Sequence, residues 1–144
     1  MITKTAINEF VSQLHTVFDD EHLLVHEPMR FHTTFAVGGP ADVLVLPYSV
    51  KELSLSIRAA RRLGLPVTVL GGGSNVLVRD GGIRGVVIQL NCMHKVLSAH
   101  DNKILASAGF MLEDVCAFAQ NRGLTGIEFA CGIPGTLGGA VFMN

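Results

Sequence analysis

The chain has 144 residues, of which 49% are hydrophobic and 16% are charged, and its formal net charge is -1. This composition excludes an intrinsically disordered chain, which would combine low hydrophobicity with a high net charge. The near-zero net charge gives no electrostatic basis for nucleic-acid binding, which needs a basic surface. Glycine is enriched, at 16 of the 144 residues, against ~7% in average proteins.

The cysteines and the N-terminus indicate a cytoplasmic protein. Cys92, Cys116 and Cys131 form no CxxC pair, and each lies in an apolar run. We therefore expect buried, reduced thiols and neither a disulfide framework nor a metal site. Residues 1 to 10 lack the apolar region of a signal peptide, and no apolar stretch approaches the ~20 residues that span a bilayer. Secretion and membrane insertion are therefore not expected.

The first part of the chain predicts a helix followed by two strands. Apolar residues recur at helical spacing from Ile7 to Phe18 and predict an amphipathic helix of about three to four turns. Strands are predicted at Leu23–Val25 and Asp42–Leu46, and Gly38-Gly39-Pro40 predicts a turn between them. The apolar stripe of the helix consists of Ile7, Phe10, Val11, Leu14, Val17 and Phe18.

A second helix has both start and stop signals. Ser49 and Glu52 form a capping box, in which each side chain pairs with a free backbone N–H at the start of the helix. Gly64 supplies a left-handed C-terminal cap, and Pro66 prevents the helix from continuing. The buried positions predicted for this helix are Val50, Leu53, Ile57 and Ala60.

The rest of the chain is rich in strands. Strands are predicted at Val67–Leu70, Val76–Val78, Gly85–Leu90, Lys95–Ala99 and Ile104–Ala108. A turn at Asp80-Gly81-Gly82 precedes the third of these strands, and the last two pair antiparallel across an Asp-Asn turn. A third helix ends at Gly123. Its apolar positions are Leu112, Val115, Cys116 and Ala119.

The order of these elements favours a mixed α+β fold. A doubly wound sheet would alternate strand and helix throughout, whereas several neighbouring strands here have no helix between them. The break at Pro66 predicts a boundary between two lobes, residues 1 to 66 and residues 67 to 144.

The run Gly71-Gly72-Gly73-Ser74-Asn75 is a candidate anion site. Three consecutive glycines after a buried strand permit positive φ angles and let several backbone N–H groups converge on one anion. The run does not match the Rossmann fingerprint, which needs glycine at Val76, or a P-loop, which needs Lys-Ser or Lys-Thr after the glycines. The pattern alone leaves a phosphate cradle and a tight turn both open.

The segment Gly132–Gly139 is a second candidate. Pro134 suits the first turn of a helix, and Thr136 adds a hydroxyl near its start. A helix N-terminus with free N–H groups favours a phosphate or an electron-rich carbonyl. The glycines of the segment leave one face bare, so either a ligand or another backbone segment can approach closely. Two such segments in one small chain favour a ligand with a long phosphate bridge, such as a dinucleotide.

Several runs of residues resemble, in the same order, signatures of the UDP-N-acetylenolpyruvoylglucosamine reductase family. Together they are specific, although Gly-Gly-Gly-Ser-Asn alone indicates only a wider flavoprotein superfamily. The runs are residues His32 to Ala41, Leu70 to Val78 with Asp80-Gly81-Gly82, Gly126 to Phe129 with Gly132 to Thr136, and Gly138 to Asn144.

The resemblance implies an α+β FAD-binding domain of the vanillyl-alcohol-oxidase/PCMH type, with the cofactor between two lobes. Residues 1 to 66 would form the first lobe and residues 67 to 144 part of the second, without the substrate domain. Gly71 to Asn75 would hold the FAD pyrophosphate. The cofactor-binding residues implied by the resemblance are Leu70, Gly71, Gly72, Gly73, Ser74, Asn75, Leu77, Gly109, Gly132, Ile133, Pro134, Gly135, Thr136, Gly138, Gly139 and Asn144.

The resemblance also implies a reaction. In the family, NADPH reduces FAD, and the flavin then passes a hydride to the enolpyruvyl double bond of a UDP-sugar, which yields UDP-N-acetylmuramate for peptidoglycan. The family's catalytic Arg, proton-donating Ser and assisting Glu lie beyond Asn144, so no catalytic residue is assigned here. No carboxylate or histidine of this chain offers a positioned substitute. We therefore expect a truncated, catalytically incomplete chain with weak or no retention of FAD.

Two other functions stay open. The chain could be a non-catalytic module that binds a phosphate ligand, or one that self-associates through apolar surface exposed by truncation. It could also be another flavin oxidoreductase of the same superfamily, although the Gly-Gly-Pro-Ala and Gly-Ile-Pro-Gly runs argue against this. The expected partners are the cofactor and, in the full enzyme, NADPH and a UDP-sugar. Nucleic acid, membrane and metal are not expected.

Overall fold

Four α-helices and six strands make up the regular structure of the chain in a computed structural model, which describes residues 2–93 and 96–143. The helices are α1 (Lys4–Leu14), α2 (Val50–Arg62), α3 (Leu112–Asn121) and α4 (Leu137–Met143). The strands are β1 (Leu23–Val25), β2 (Ala41–Val45), β3 (Val67–Leu70), β4 (Ile83–Gln89), β5 (Leu97–His100) and β6 (Lys103–Ala106).

The main sheet has the strand order β1-β2-β4-β3. β1 pairs antiparallel with β2, while β4 lies parallel to both β2 and β3. Helix α2 forms the crossover between β2 and β3, as parallel strands require. The predicted strands Leu23–Val25 and Val67–Leu70 are confirmed without change. The strands predicted at Asp42–Leu46 and Gly85–Leu90 are present as β2 and β4, with ends displaced by one or two residues.

Both faces of this sheet are covered. One face packs against α1 and α2, and its core includes Phe10, Leu14, Val43 and Ile88. The opposite face has a second core formed by the following residues: Met29, Ala41, Leu44, Leu70, Val78 and Val87. Every residue of β2 is buried, as is typical of a strand covered on both faces.

Helix α1 is shorter than its apolar pattern. Thr3 begins it, since the Thr3 hydroxyl accepts a hydrogen bond from the Ala6 N–H at 3.2 Å. The helix ends at Leu14 because a turn follows, in which the N–H of Phe18 donates to the carbonyl of Leu14. Phe18 is still buried, but Val17 is exposed, so its predicted place in the stripe is wrong.

Helix α2 begins and ends where the sequence predicts. The Ser49 hydroxyl accepts from the Glu52 N–H at 3.2 Å, but the Glu52 carboxylate accepts from the Tyr48 N–H, one residue earlier than a capping box requires. Gly64 has a φ of +66° and caps the C-terminus. The predicted burial of Val50 is wrong, since it is 72% exposed, and Ser56 is fully buried instead.

The predicted turn at residues 38 to 40 and the predicted strand at residues 76 to 78 are both wrong, and both lie where two backbone segments cross. A Cβ added at Gly39 would lie 1.8 Å from the carbonyl oxygen of Asp80, and one at Gly82 would lie 1.8 Å from that of Pro40. The two backbones therefore touch, and no turn forms at Gly38-Gly39-Pro40. The predicted strand Val76–Val78 is also absent, because this segment approaches the crossing in irregular conformation. The turn at Asp80-Gly81-Gly82 is confirmed by a hydrogen bond from the Gly82 N–H to Arg79.

The predicted hairpin and third helix are confirmed after the main sheet, although β6 begins one residue before the predicted Ile104 and ends two residues before the predicted Ala108. β5 and β6 pair antiparallel, with a φ of +52° at Asp101 in the connecting turn. Lys95, the predicted first residue of this hairpin, lies outside the described residues. All four predicted apolar positions of α3 are buried, and Gly123 ends the helix with a φ of +65°.

The sheet contains strands from both sides of residue 66, and the division into lobes at that residue stays a prediction. The described cysteines are free, but only Cys116 is buried, while Cys92 is half-buried and Cys131 is exposed. The expectation of three buried thiols is therefore wrong for two of them. Within residues 2–93 and 96–143, no helix is long and apolar enough to cross a bilayer.

Candidate cofactor-binding site

The two glycine segments that the sequence predicts for one phosphate-bridged ligand lie side by side. The Ser74 hydroxyl donates to the carbonyl oxygen of Pro134 at 3.1 Å. A Cβ added at Gly71 would lie 2.2 Å from the Thr136 hydroxyl oxygen, so these residues are in direct contact. The structure thus brings together segments about 60 residues apart, because the first follows β3 and the second precedes α4.

The first segment offers hydrogen-bond donors. None of the backbone N–H groups of residues 72 to 75 donates a hydrogen bond to another residue that the structure describes. Gly72 and Asn75 are exposed, and Gly73 has a φ of +69°. Unbonded N–H groups in a turn with a left-handed residue are the donors that an anion-binding nest needs.

Close packing explains two of the three consecutive glycines. Gly71 contacts Thr136, and a Cβ at Gly73 would lie 2.2 Å from the carbonyl oxygen of His32. Gly72 differs, because a Cβ there would meet no atom closer than 3.8 Å and its φ is not positive. A Cβ at Gly72 would make only ordinary contacts, with Gly135 and Thr136, and Gly72 itself is exposed, which fits an approaching phosphate group. Packing and ligand binding both contribute to this run.

The second segment uses its glycines mainly for packing. A Cβ at Gly138 would lie 2.8 Å from that of Ala108, and one at Gly135 would lie 2.7 Å from the Ser74 hydroxyl oxygen. Gly132 has open space around it and a φ of +83°. The alternative of close backbone packing therefore holds for Gly135 and Gly138, while Gly132 is left free.

The start of α4 differs from the prediction. Thr136 precedes the helix, and its hydroxyl accepts from the Gly139 N–H at 3.3 Å. Pro134 lies before the helix rather than in its first turn, so that prediction is wrong. The N–H groups of Leu137 and Gly138 donate to carbonyls of residues 110 and 108. The helix N-terminus is thus occupied by protein, and the expectation of free N–H groups there is wrong.

The remaining predicted site residues flank the two segments. Leu70, the last residue of β3, is buried in the second core, and a Cβ at Gly109 would lie 2.4 Å from the carbonyl oxygen of Leu90. Leu77 and Ile133 expose apolar side chains that could contact a ligand. Asn144 lies outside the described residues.

Sequence reasoning missed a polar cluster behind the first segment. His32 lies between Glu27 and Gln89, and Gln89 donates to the carbonyl oxygen of Gly71. The partners of His32 are 5 and 57 residues away in the sequence, so no local pattern reports the cluster. The available signal was the place of His32 in the same ordered set of motifs as the glycine run.

A groove beside the second segment contains titratable groups. Cys116, Cys131 and Glu128 line it together with Gly132. Burial, and to a lesser extent the neighbouring thiol of Cys131, raises the pKa of the Cys116 thiol. Hydrogen bonds from the N–H groups of Glu128 and Gly126 lower the pKa of the Glu128 carboxyl. In the part of the chain that the structure describes, no group of three or more His, Cys, Asp or Glu side chains could hold a metal ion.

Comparison with curated proteins identifies close sequence relatives. UDP-N-acetylenolpyruvoylglucosamine reductase of Clostridium perfringens is 45% identical over 136 residues, and that of Clostridium kluyveri is 43% identical over 136 residues. Each alignment includes 94% of this chain but 44% of the relative. The chain therefore spans less than half the length of these curated relatives.

Solved structures confirm the predicted fold class. A UDP-N-acetylenolpyruvylglucosamine reductase from Thermus caldophilus aligns with a TM-score of 0.61 and 34% identity, over 83% of this chain and 40% of that one. p-Cresol methylhydroxylase aligns with a TM-score of 0.66 over 85% of this chain and 26% of that one. At 14% identity the second match supports the fold alone. The fold is the α+β fold of PCMH-type flavoproteins.

A family model described as an FAD binding domain matches residues 41–144. The match includes both glycine segments, β2 to β6 and α2 to α4. The description of the family names FAD, which confirms the cofactor predicted from the resemblance. Since this family model matches well over half of the sequence, the chain belongs to the FAD binding domain family.

Proposed function

We propose that the chain is the FAD-binding part of a UDP-N-acetylenolpyruvoylglucosamine reductase and that residues 71 to 75 hold the cofactor's pyrophosphate. The observation that carries the proposal is the loop itself. Its N–H groups at residues 72 to 75 have no protein acceptor among the described residues, and Gly72 is exposed. The identity of 45% to a curated reductase supplies the reaction class.

The proposed cofactor contacts divide by chemistry. The backbone N–H groups of residues 72 to 75 would donate to phosphate oxygens, which suits their lack of a protein acceptor and the exposure of Gly72 and Asn75. Leu77 and Ile133 would contact apolar parts of the cofactor, since both are exposed. Gly132 would allow close approach of the ligand, because nothing surrounds it. Leu70, Gly71, Gly109, Gly135 and Gly138 would shape the site from behind, where they pack against the protein.

The proposed reaction is the reduction of an enolpyruvyl ether. When bound, FAD would supply a two-electron carrier between NADPH and the substrate. In total, one hydride from NADPH and one proton from solvent add across the carbon–carbon double bond, and NADP⁺ leaves. The product, UDP-N-acetylmuramate, is a peptidoglycan precursor. We propose a role in cell-wall synthesis, and hence in cell shape and division, in the cytoplasm. In that reaction this chain would bind and orient the cofactor.

A titration of the purified chain with FAD, combined with light scattering, tests the proposal. We expect a monomer that binds FAD saturably and weakly, because the loop lies at an open surface rather than in an enclosed cavity. ADP should compete with FAD, since it carries the pyrophosphate, while riboflavin should not. Binding of riboflavin as tight as that of ADP, or no binding of either phosphate ligand, would refute the pyrophosphate assignment.

A second candidate function is self-association through a second copy of the chain. It is supported by large apolar side chains at the surface near α4: Phe129 is 80% exposed, Val141 is 74% exposed and Phe142 is 86% exposed. Large exposed apolar side chains favour pairing where they form a patch. In the same light-scattering experiment, a dimer that does not bind FAD would support this function over the cofactor site.

A further inference from the structure

A polar chain of three side chains supports the glycine loop from its protein side. Glu27 Oε1 lies 2.9 Å from His32 Nε2, and His32 Nδ1 lies 2.9 Å from Gln89 Oε1. Gln89 Nε2 donates to the carbonyl oxygen of Gly71 at 3.2 Å. Gln89 is 4% exposed, and the side chains of His32 and Glu27 are 15% and 23% exposed, so solvent hardly competes for these bonds.

The carbonyl of Gly71, at one end of this row of hydrogen bonds, sets the orientation of the Gln89 side chain. The carbonyl of Gly71 can only accept, so the amide nitrogen of Gln89 must face it. The amide oxygen of Gln89 therefore faces His32, whose Nδ1–H donates to it. At the other ring nitrogen, Nε2 is hydrogen-bonded to the carboxyl group of Glu27. Both nitrogens of the His32 ring are therefore engaged, and the ring links Glu27 to Gln89.

Residues 32 to 34 also hold the middle of the loop, at Gly73. The Thr34 N–H donates to the carbonyl oxygen of Gly73 at 3.1 Å. The carbonyl oxygen of His32 lies so close to Gly73 that an added Cβ would be 2.2 Å from it. The carbonyls of Gly71 and Gly73 are thus both bonded to protein, and Gly72 lies between two fixed points.

We propose that Gln89, held in place by His32 and Glu27, is a positioning residue for the pyrophosphate-binding loop. Gln89 donates a hydrogen bond to the carbonyl oxygen of Gly71. This bond keeps the partial negative charge of that oxygen turned away from a bound anion. The N–H groups of residues 72 to 75 then remain the polar groups that the loop presents to a phosphate. The role toward a ligand rests on the proposed function, whereas the positioning of the loop exists in the ligand-free chain.

Backbone amide NMR signals of the ligand-free chain test the positioning directly. Gln89→Met removes both hydrogen bonds of the side chain at similar size, and we expect it to displace the signals of Gly72 and Gly73. Glu27→Met, at a residue that does not touch the loop, should displace the same signals. Glu27→Gln should leave them near their original positions, because an amide can still pair with the ring. A merely structural role would not give this rescue.

His22→Gln serves as the matched control. His22 is also a largely buried histidine paired with a carboxylate, that of Asp19, but it contacts no residue of the loop. It should leave the signals of Gly72 and Gly73 unchanged. Unchanged signals in both Gln89→Met and Glu27→Met would overturn the positioning role. Should Gln89→Met fail to fold, the two Glu27 variants decide the question alone.

Binding of ADP separates this inference from the proposed function. We expect about tenfold weaker ADP binding in Gln89→Met and nearly unchanged binding in Glu27→Gln. If the original chain binds no ADP but Gln89→Met still displaces the loop signals, the proposed function fails and the positioning role stands. If ADP binds equally to the original chain and to Gln89→Met, the role of Gln89 toward the ligand is refuted.

Discussion

Single residues of the same type have different environments in this chain, and the cysteines illustrate the consequence. Cys116 is buried on α3, and burial raises the pKa of its thiol above the ordinary value, with a smaller contribution from Cys131. Cys131 is exposed and lines, with Cys116, the groove beside the second glycine segment. The reactive species is the thiolate, so a raised pKa and burial both slow reaction of a thiol.

We predict that iodoacetamide at neutral pH alkylates Cys131 at least about tenfold faster than Cys116. Mass spectrometry of the two peptides over time measures the ratio. The unfolded chain in denaturant is the control, in which both thiols should react at similar rates. Equal rates in the folded chain would contradict the burial of Cys116.

The three consecutive glycines at residues 71 to 73 have different roles, which the sequence alone does not reveal. Gly71 and Gly73 are required by contacts with Thr136 and His32, whereas Gly72 has room for a side chain. From the sequence, all three fit a phosphate cradle equally well. The partners that separate them lie far away in the chain, so only the folded structure distinguishes packing from an open surface.

Local signals predict the elements of this fold better than they predict its loops. The cap at Ser49 and the stop at Gly64 gave the bounds of α2, because capping depends on neighbours within a few residues. The segment Val76–Val78 has a strand-like pattern but no strand, because it runs toward the crossing of Gly39 with Asp80. That crossing joins distant residues, and no local pattern reports it.

For helix α2 we predict that Ser49→Ala lowers the free energy of unfolding by about 1 kcal/mol. The substitution removes the hydroxyl that accepts the Glu52 N–H at the start of α2. Urea denaturation measures the change. Ser12→Ala is the matched control, since Ser12 is exposed within α1 and caps no helix. A loss in Ser12→Ala as large as that in Ser49→Ala would contradict the capping role.

At the scale of the whole molecule, the resemblance predicted the cofactor family and the fold class, and both are confirmed. The adjacency of the two glycine segments could be expected from a single phosphate-bridged ligand. The support of the loop by Gln89, His32 and Glu27 could not, because only His32 lies in one of the recognised motifs, while Gln89 is on β4 and Glu27 precedes the motifs. Distant side chains meet only after the sheet has formed.

We predict that the purified chain, supplied with FAD, NADPH and the enolpyruvyl UDP-sugar, gives no turnover. The chain spans 44% of the curated relatives, and it contributes cofactor contacts rather than a positioned proton donor in our proposal. The loss of NADPH absorbance over time measures turnover, with a full-length reductase as the positive control. Substrate-dependent oxidation of NADPH by this chain would contradict the prediction.

The affinity of the chain for FAD in a matched pair of glycine variants tests the central claim most directly. Gly72 and Gly81 both lack a positive φ and both have room for a methyl group, but only Gly72 lies in the proposed pyrophosphate loop. We predict that Gly72→Ala weakens FAD binding about tenfold at unchanged thermal stability, while Gly81→Ala changes neither quantity. FAD binding that is equally tight in the original chain and in both variants would contradict the claim that this loop holds the cofactor.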